Sequence, residues 1–274
     1  MNSKWIMAII VLLVIMLGSV WPRDNYLEVD FLDIGQGDAT LIRTPQGQNI
    51  LIDGGPDNSL LSQVAASLPW WEREIDYVIV THWHEDHFAG LIELFNKYKV
   101  KNILATGHQP SEDFLYQTWL AALAKHGLST QVLEPGQKFI VSTDLYWQVL
   151  SADTSHEDYN ENSLVVRLTF DQVDFLFMGD LPSGGENKLL AQDWNLDSEI
   201  LKVGHHGSKY SSGSDFLQAV EPELCIIESG VDNKFGHPHQ EALGRLRDIG
   251  CQIWNTQDGP LKLISDGQSW AVDK

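Results

Sequence analysis

Cysteine is scarce in this 274-residue sequence: Cys225 and Cys251 are the only two. That excludes a disulfide framework of the kind that holds small secreted domains together. Both lie in apolar, strand-like runs, Leu224-Cys225-Ile226-Ile227 and Cys251-Gln252-Ile253-Trp254, where buried thiols are expected. Basic residues are also short: 18 Lys and Arg stand against 38 Asp and Glu, a formal net charge of −20. The deficit argues against broad electrostatic binding of nucleic acid, which needs clustered Lys and Arg. Any phosphate chemistry must then lean on bound cations and a few local basic groups. There is no internal repeat of fixed short period and no low-complexity linker, which excludes solenoids and linker-dominated chains. Long apolar runs are missing too, apart from one at the N-terminus.

What remains is an ordinary globular composition, 43% hydrophobic and 20% charged, enough for one large α/β domain or two small ones. At the N-terminus, Lys4 precedes an apolar run from Trp5 to Leu17, extended by Gly18-Ser19-Val20-Trp21 and stopped by Pro22. Residues 1–22 read as a membrane-targeting segment close to the lower length limit for a span, roughly 17 residues. An uncleaved signal anchor is expected, because Leu17-Gly18-Ser19-Val20-Trp21 fits a small-residue cleavage site poorly; a cleaved signal peptide is the alternative. Membrane contact through residues 5–21 would leave the acidic body, residues 26–274, outside the cytoplasm, or secreted if the segment is cut.

From Tyr26 onward the pattern predicts strands over 27–33, 39–43 and 48–53, a helix over 60–67, a buried strand over 75–81 and a helix over 88–98. Ser111 is expected to cap a helix ended by Gly127. A hairpin follows over 163–170 and 173–178, then helices over 185–192, 215–220 and 239–248 alternating with strands over 200–203 and 224–228. Strand-rich halves punctuated by helices predict two packed sheets with helices outside.

The chemistry concentrates at Thr81-His82-Trp83-His84-Glu85-Asp86-His87, directly after the buried strand. So many imidazoles and carboxylates beside a core point to a divalent metal, whose N and O ligands they are. His82 and His84 alternate and can share one side of an extended turn; Asp86 and His87 point elsewhere, which suits a second ion. Asp53, beside two glycines, is placed to orient a metal-bound histidine from behind. Asp180, His205-His206 and His237 stand after further strands. Alone, each is an ordinary polar residue; together they set ligands at the ends of successive strands, where loops on a rigid scaffold carry chemistry.

The order Asp53, His82-Trp83-His84-Glu85-Asp86-His87, Asp180, His205 resembles the metallo-β-lactamase superfamily, across nearly everything after the N-terminal segment. Phe31-Leu32-Asp33-Ile34-Gly35-Gln36-Gly37-Asp38, Asn160-Glu161-Asn162-Ser163-Leu164-Val165, Gly179-Asp180-Leu181, Lys202-Val203-Gly204-His205-His206-Gly207-Ser208 and Gly236-His237-Pro238 narrow it. They are similar to the hydrolase domain of ComEC-type competence proteins, which join it to a multispan DNA channel; this chain has only one candidate span.

The resemblance implies a four-layer αββα sandwich (class α/β, α+β) with two divalent ions, Zn2+ or Mn2+. It assigns His82 and His84 to the first ion, Asp86, His87 and His205 to the second, and Asp180 as the bridge, with His206 competing for the place of His205. Where most of the superfamily has another histidine for the first ion, this sequence has Asn162-Ser163, so Asn162 is a weak first-site ligand; His156 is the other candidate there. Asp86 and His237 are the residues expected in catalysis, His237 by protonating a leaving oxygen or binding a phosphate oxygen. Ser208 and Lys209, with His206, could contact substrate, and Lys234 is a weaker candidate. The implied activity is hydrolysis of DNA or another phosphodiester. A carbonyl hydrolase of lactonase or β-lactamase type, and a non-catalytic membrane-tethered DNA-binding module, are the alternatives. No protein partner is inferable.

Overall fold

The computed structural model describes residues 25–273, so the segment expected over 1–22 lies outside them. Among the described residues no helix is long and apolar enough to cross a membrane.

Strands with apolar residues on both faces must be covered on both faces, and this sets the layers. In one sheet β1 (Leu27–Phe31), β2 (Thr40–Arg43), β3 (Asn49–Ile52), β4 (Glu74–Val80), β5 (Lys99–Ala105) and β6 (Thr130–Val132) lie side by side in chain order. The second sheet runs β7 (Lys138–Ile140), β8 (Leu145–Ser151), β9 (Val165–Phe170), β10 (Val173–Phe177), β11 (Ile200–Lys202), β12 (Leu224–Ile227) and β13 (Gln252–Asn255). The chain then returns to the first sheet, where β14 (Leu261–Ser265) pairs with β1 and β15 (Trp270–Val272) forms the edge. Ile50 and Ile52 point into the core between the sheets, where they meet Phe175 and Phe177. Leu51, one residue out of phase, faces the helices α1 (Ser59–Ser67), α2 (Glu85–Leu94) and α3 (Phe114–His126). Leu176 and Leu201 face α4 (Ser183–Leu190), α5 (Ser214–Val220) and α6 (Gln240–Asp248) in the same manner. The result is the expected αββα sandwich.

Strands β3 to β6 are parallel, as are β10 to β13. Their C-terminal ends deliver Asp53, the histidine stretch, Asp180 and His205-His206 to one edge of the sandwich. The helix expected over 88–98 starts earlier, with His84 as N-cap and Glu85 and Asp86 in its first turn. Carboxylates favour that position because they complement the positive end of the helix dipole. The α3 cap also differs from expectation: Asp113, not Ser111, accepts the Tyr116 N–H, while Gly127 closes the helix in the left-handed conformation as foreseen. At the crossing of α2 with the turn after β3, a Cβ on Gly90 would lie 2.2 Å from the Gly54 carbonyl oxygen. That close approach holds the Asp53 turn against the helix carrying His87.

The cysteines correct the expectation of free thiols. Cys225, in β12, and Cys251, just before the neighbouring β13, form a disulfide across a sequence separation of 26 with Cα atoms 6.1 Å apart. Adjacency of parallel strands, invisible in the spacing, brings them together. Closing a loop of this length restrains the unfolded chain by about 3 kcal/mol. Replacing both cysteines by serine should therefore lower unfolding free energy by roughly that amount in urea melts. An unchanged midpoint would mean the link does not contribute.

Candidate metal centre

The centre is built outward from Asp53. Its carboxylate accepts the Thr81 N–H at 2.8 Å and the Thr81 hydroxyl at 2.6 Å, and lies 2.8 Å from His87 Nδ1. Since the Thr81 proton is given to Asp53, its oxygen is left to accept from His82 Nδ1 at 3.1 Å. His206 Nδ1 faces the Glu228 carbonyl at 2.8 Å, which can only accept. All three contacts call for a proton on Nδ1, which leaves Nε2 as the nitrogen available to a metal.

Those nitrogens converge on Asp180. His87 Nε2 is 3.4 Å from Asp180 Oδ1, and His206 Nε2 is 3.4 Å from Oδ2 and 3.3 Å from Asp86 Oδ2. His82 Nε2 is 3.8 Å from Asp180 Oδ2 and 3.0 Å from His84 Nδ1. His87 Nε2, His206 Nε2 and Asp180 Oδ1 are buried and have no hydrogen-bond partner. Orphaned polar atoms at such a density are costly unless something binds them. His82, His87 and Asp180 offer ligand atoms close enough together to hold one ion. The donor set therefore fits a divalent metal.

Electrostatics agree with the geometry. Burial works against charging His87 and His206, yet the surrounding carboxylates, Asp180 foremost, raise both well above the ordinary imidazole range. Burial likewise opposes ionisation of Asp180, but His206 and His87 hold it well below the carboxylate range. His82, with fewer acidic neighbours, is pushed well down by burial and by His87. Without a cation the cluster would recruit protons; a metal supplies that positive charge instead. Burial also raises the Asp53 carboxyl, against the pull of its His87 and Thr81 partners.

A cleft of about 280 Å³ opens over Asp86, Asp180, His205 and His237. A smaller apolar cavity of about 170 Å³ lies between the sheets under Phe139 and Trp147, remote from this chemistry.

A family model described as the metallo-beta-lactamase superfamily matches residues 32–225. The chain belongs to that superfamily. ComE operon protein 3 of Bacillus subtilis is 29% identical over 262 residues, covering 86% of this chain and 32% of its own length. Recombination protein 2 of Haemophilus influenzae is 30% identical over 238 residues, covering 84% of this chain and 27% of its own length. The chain thus spans about a third or less of these relatives. Among solved structures, a diphosphatase from the PhnP family superposes with a TM-score of 0.52 at 13% identity, covering 88% of this chain and 97% of that one. That likeness concerns the fold alone.

Within this superfamily site, several expected residues are elsewhere. Asn162 is fully buried and spent on its own loop: Oδ1 accepts the His156 N–H at 3.1 Å, and Nδ2 donates to the His156 and Asp158 carbonyls. Its amide is engaged by the loop and it does not line the cleft, against the expectation that it serves the first ion. His156 Nε2 is engaged by Lys188 Nζ at 2.7 Å and is no substitute. Asn160, two residues earlier, lines the cleft instead, with an unpartnered Oδ1. Ser208 is buried, its Oγ accepting the Tyr210 N–H at 3.3 Å, and Lys209 lays its ammonium over the Tyr210 ring. Neither lines the cleft. His205 does, 3.8 Å from Asp180 Oδ2.

Asp38, which the sequence offers only within the stretch Phe31 to Asp38, also belongs to this centre. Its Oδ1 lies 3.1 Å from His206 Nδ1, and Lys202 Nζ, wholly buried, pairs with its Oδ2. Glu228 joins them, 3.9 Å from Lys202. Burial and repulsion from Asp38 push that carboxyl up to about 8. The signal available was a lysine, Lys202, inside an otherwise apolar strand, which demands a buried carboxylate. Asp53→Asn should weaken metal binding about 10- to 100-fold, since it removes the acceptor that fixes the His87 and His82 tautomers. Metal titration followed by calorimetry checks this, and an unaltered affinity would show that Asp53 does not govern the ligands.

Proposed function

We propose that this chain is a dinuclear metal-dependent phosphodiesterase acting on DNA outside the cytoplasm. The first ion would be held by His82, His84 and Asp180, and the second by Asp86, His87 and His206, with Asp180 bridging. The geometry favours His206 over His205 for that place, because His206 Nε2 is buried between Asp86 and Asp180 while the His205 ring is partly exposed in the cleft. The observation that supports the reading is the convergence of His82, His87 and His206 on the Asp180 carboxylate, with Asp86 beside His206 and His84 beside His82. An under-furnished first position keeps room for water and for a phosphoryl oxygen, and suits manganese as well as zinc.

Bound there, a pair of ions would polarise the phosphoryl oxygen and lower the pKa of a water nucleophile. The protein's own groups orient the diester and exclude competing ligands. Burial and the neighbouring imidazoles hold His237 down at about 4, so it is neutral near pH 7. A neutral imidazole donates an N–H to a phosphate oxygen rather than delivering a proton as a cation, so of its two expected roles the binding one is retained. His205 would occupy the same wall. DNA as the substrate rests on similarity to a competence protein, ComA of Neisseria gonorrhoeae, and to recombination protein 2, each across most of the chain. The Cys225–Cys251 disulfide supports an oxidising compartment.

Hydrolysis of bis(p-nitrophenyl) phosphate, but not of nitrocefin or lactones, is expected from metal-loaded protein. Turnover of the carbonyl substrates alone would reverse the assignment. His84→Ala and Asp180→Asn should each lose at least roughly a hundredfold in rate while remaining folded. In metal-binding assays His206→Ala should be more damaging than His205→Ala; the opposite order would return the ligand role to His205.

A further inference from the structure

Beside the metal centre, the cleft has an apolar wall that no metal chemistry uses. Phe235 is 50% exposed and lines the cleft together with Asp86, Asp180, His205 and His237. A single exposed apolar side chain is unremarkable on a protein surface. This one differs because its loop is built to hold it there. Asn233 braces the loop on both sides: its Oδ1 accepts the N–H groups of Phe235 at 3.2 Å and His237 at 2.9 Å, and its Nδ2 donates to the Gly230 and His237 carbonyls. Gln257 Nε2 adds donations to the same two carbonyls at 3.0 and 3.2 Å. At the loop's root, Gly230 N–H donates to Gln36 Oε1, and a Cβ on Gly230 would collide with the Gln36 backbone. The ring is therefore presented by a fixed scaffold.

Its surroundings suit a particular ligand. The Phe235 ring stacks on His237, centroids 5.7 Å apart and planes 19° from parallel, so the imidazole backs the ring at the edge of the metal centre. Lys234 Nζ lies over the Phe235 ring, 4.9 Å from its centroid, a cation on a flexible stem that an incoming base would displace toward its own phosphate. Gln36 Nε2, also at the cleft, is a buried donor with no partner. A planar apolar face, a nearby ammonium and an unspent amide N–H match a base attached to a sugar-phosphate chain.

We infer that Phe235, backed by His237, is a stacking subsite for the nucleobase next to the scissile phosphodiester, so that the substrate is recognised by an unpaired base. This rests on the phosphodiesterase reading and narrows it. In a duplex the base faces are covered by one another, so the subsite selects unpaired nucleotides. It also answers how a chain of net charge −20 engages a polyanion: affinity comes from stacking, which is sequence-tolerant and needs few phosphate contacts.

The test uses the full metal-loaded chain, with binding followed by fluorescence anisotropy and hydrolysis by KM. The probes are a single-stranded mixed-sequence oligonucleotide, its duplex, and a strand of equal length made wholly of abasic tetrahydrofuran residues. Phe235→Ala should weaken binding of the base-bearing single strand about tenfold and leave the abasic strand and the duplex within about twofold of wild type; Phe235→Trp should retain affinity. An equal loss on the base-bearing and abasic strands, or no loss on either, overturns the inference. If the wild type hydrolyses no phosphodiester yet binds the single strand in a Phe235-dependent manner, the hydrolase reading falls and the stacking subsite stands.

Discussion

An excess of buried negative charge organises this molecule. Asp38, Asp53 and Asp180 are all nearly inaccessible, and Lys202 is the permanent cation drawn in against Asp38. Carboxylates in an interior are tolerated only when paired or bound to metal. Here the remaining compensation falls to imidazoles that either take up protons or share a cation. Hydrogen bonds that put the protons of His82, His87 and His206 on Nδ1 leave each Nε2 turned toward the centre, where a metal can take the place of those added protons.

The fold supplies the rigidity this arrangement needs. Both sheets turn the C-terminal ends of their parallel strands to one edge, so ligands separated by more than a hundred residues meet without long loops. Asp53, His205 and His206 have φ values of 57°, 51° and 53°, a conformation that L-residues with a side chain adopt at a cost of about 1–3 kcal/mol each. Such strain persists only where packing over-determines it. The close contact of Gly90 with the Asp53 turn and the buried Asp38–Lys202 pair are the parts that do so.

Much of this was legible in the sequence. Apolar runs bounded by turn residues marked the strands of both sheets, and the polar residues after several of them marked the site edge. What escaped has physical causes. His205 and His206 are adjacent, and when both residues are left-handed the usual alternation of side chains fails, so spacing cannot say which faces the carboxylates. Asn162 looked like a stand-in for imidazole, but its amide closes the loop of residues 156–162. Asp38 is matched to Lys202 only by the packing of the two sheets, since the residues lie far apart in the chain. The disulfide depended on which strands are neighbours, and the role of Phe235 on how its loop is braced. Neither is a property of local sequence.

The central claim is that Asp180 joins two cation positions of unequal furnishing. Diffraction from crystals of the manganese-loaded protein, with data collected on the manganese absorption edge, tests it most directly. The account predicts two anomalous peaks about 3.5–4 Å apart flanking Asp180, the stronger beside Asp86, His87 and His206. A single peak, or a pair in which His206 contacts neither ion, would contradict it.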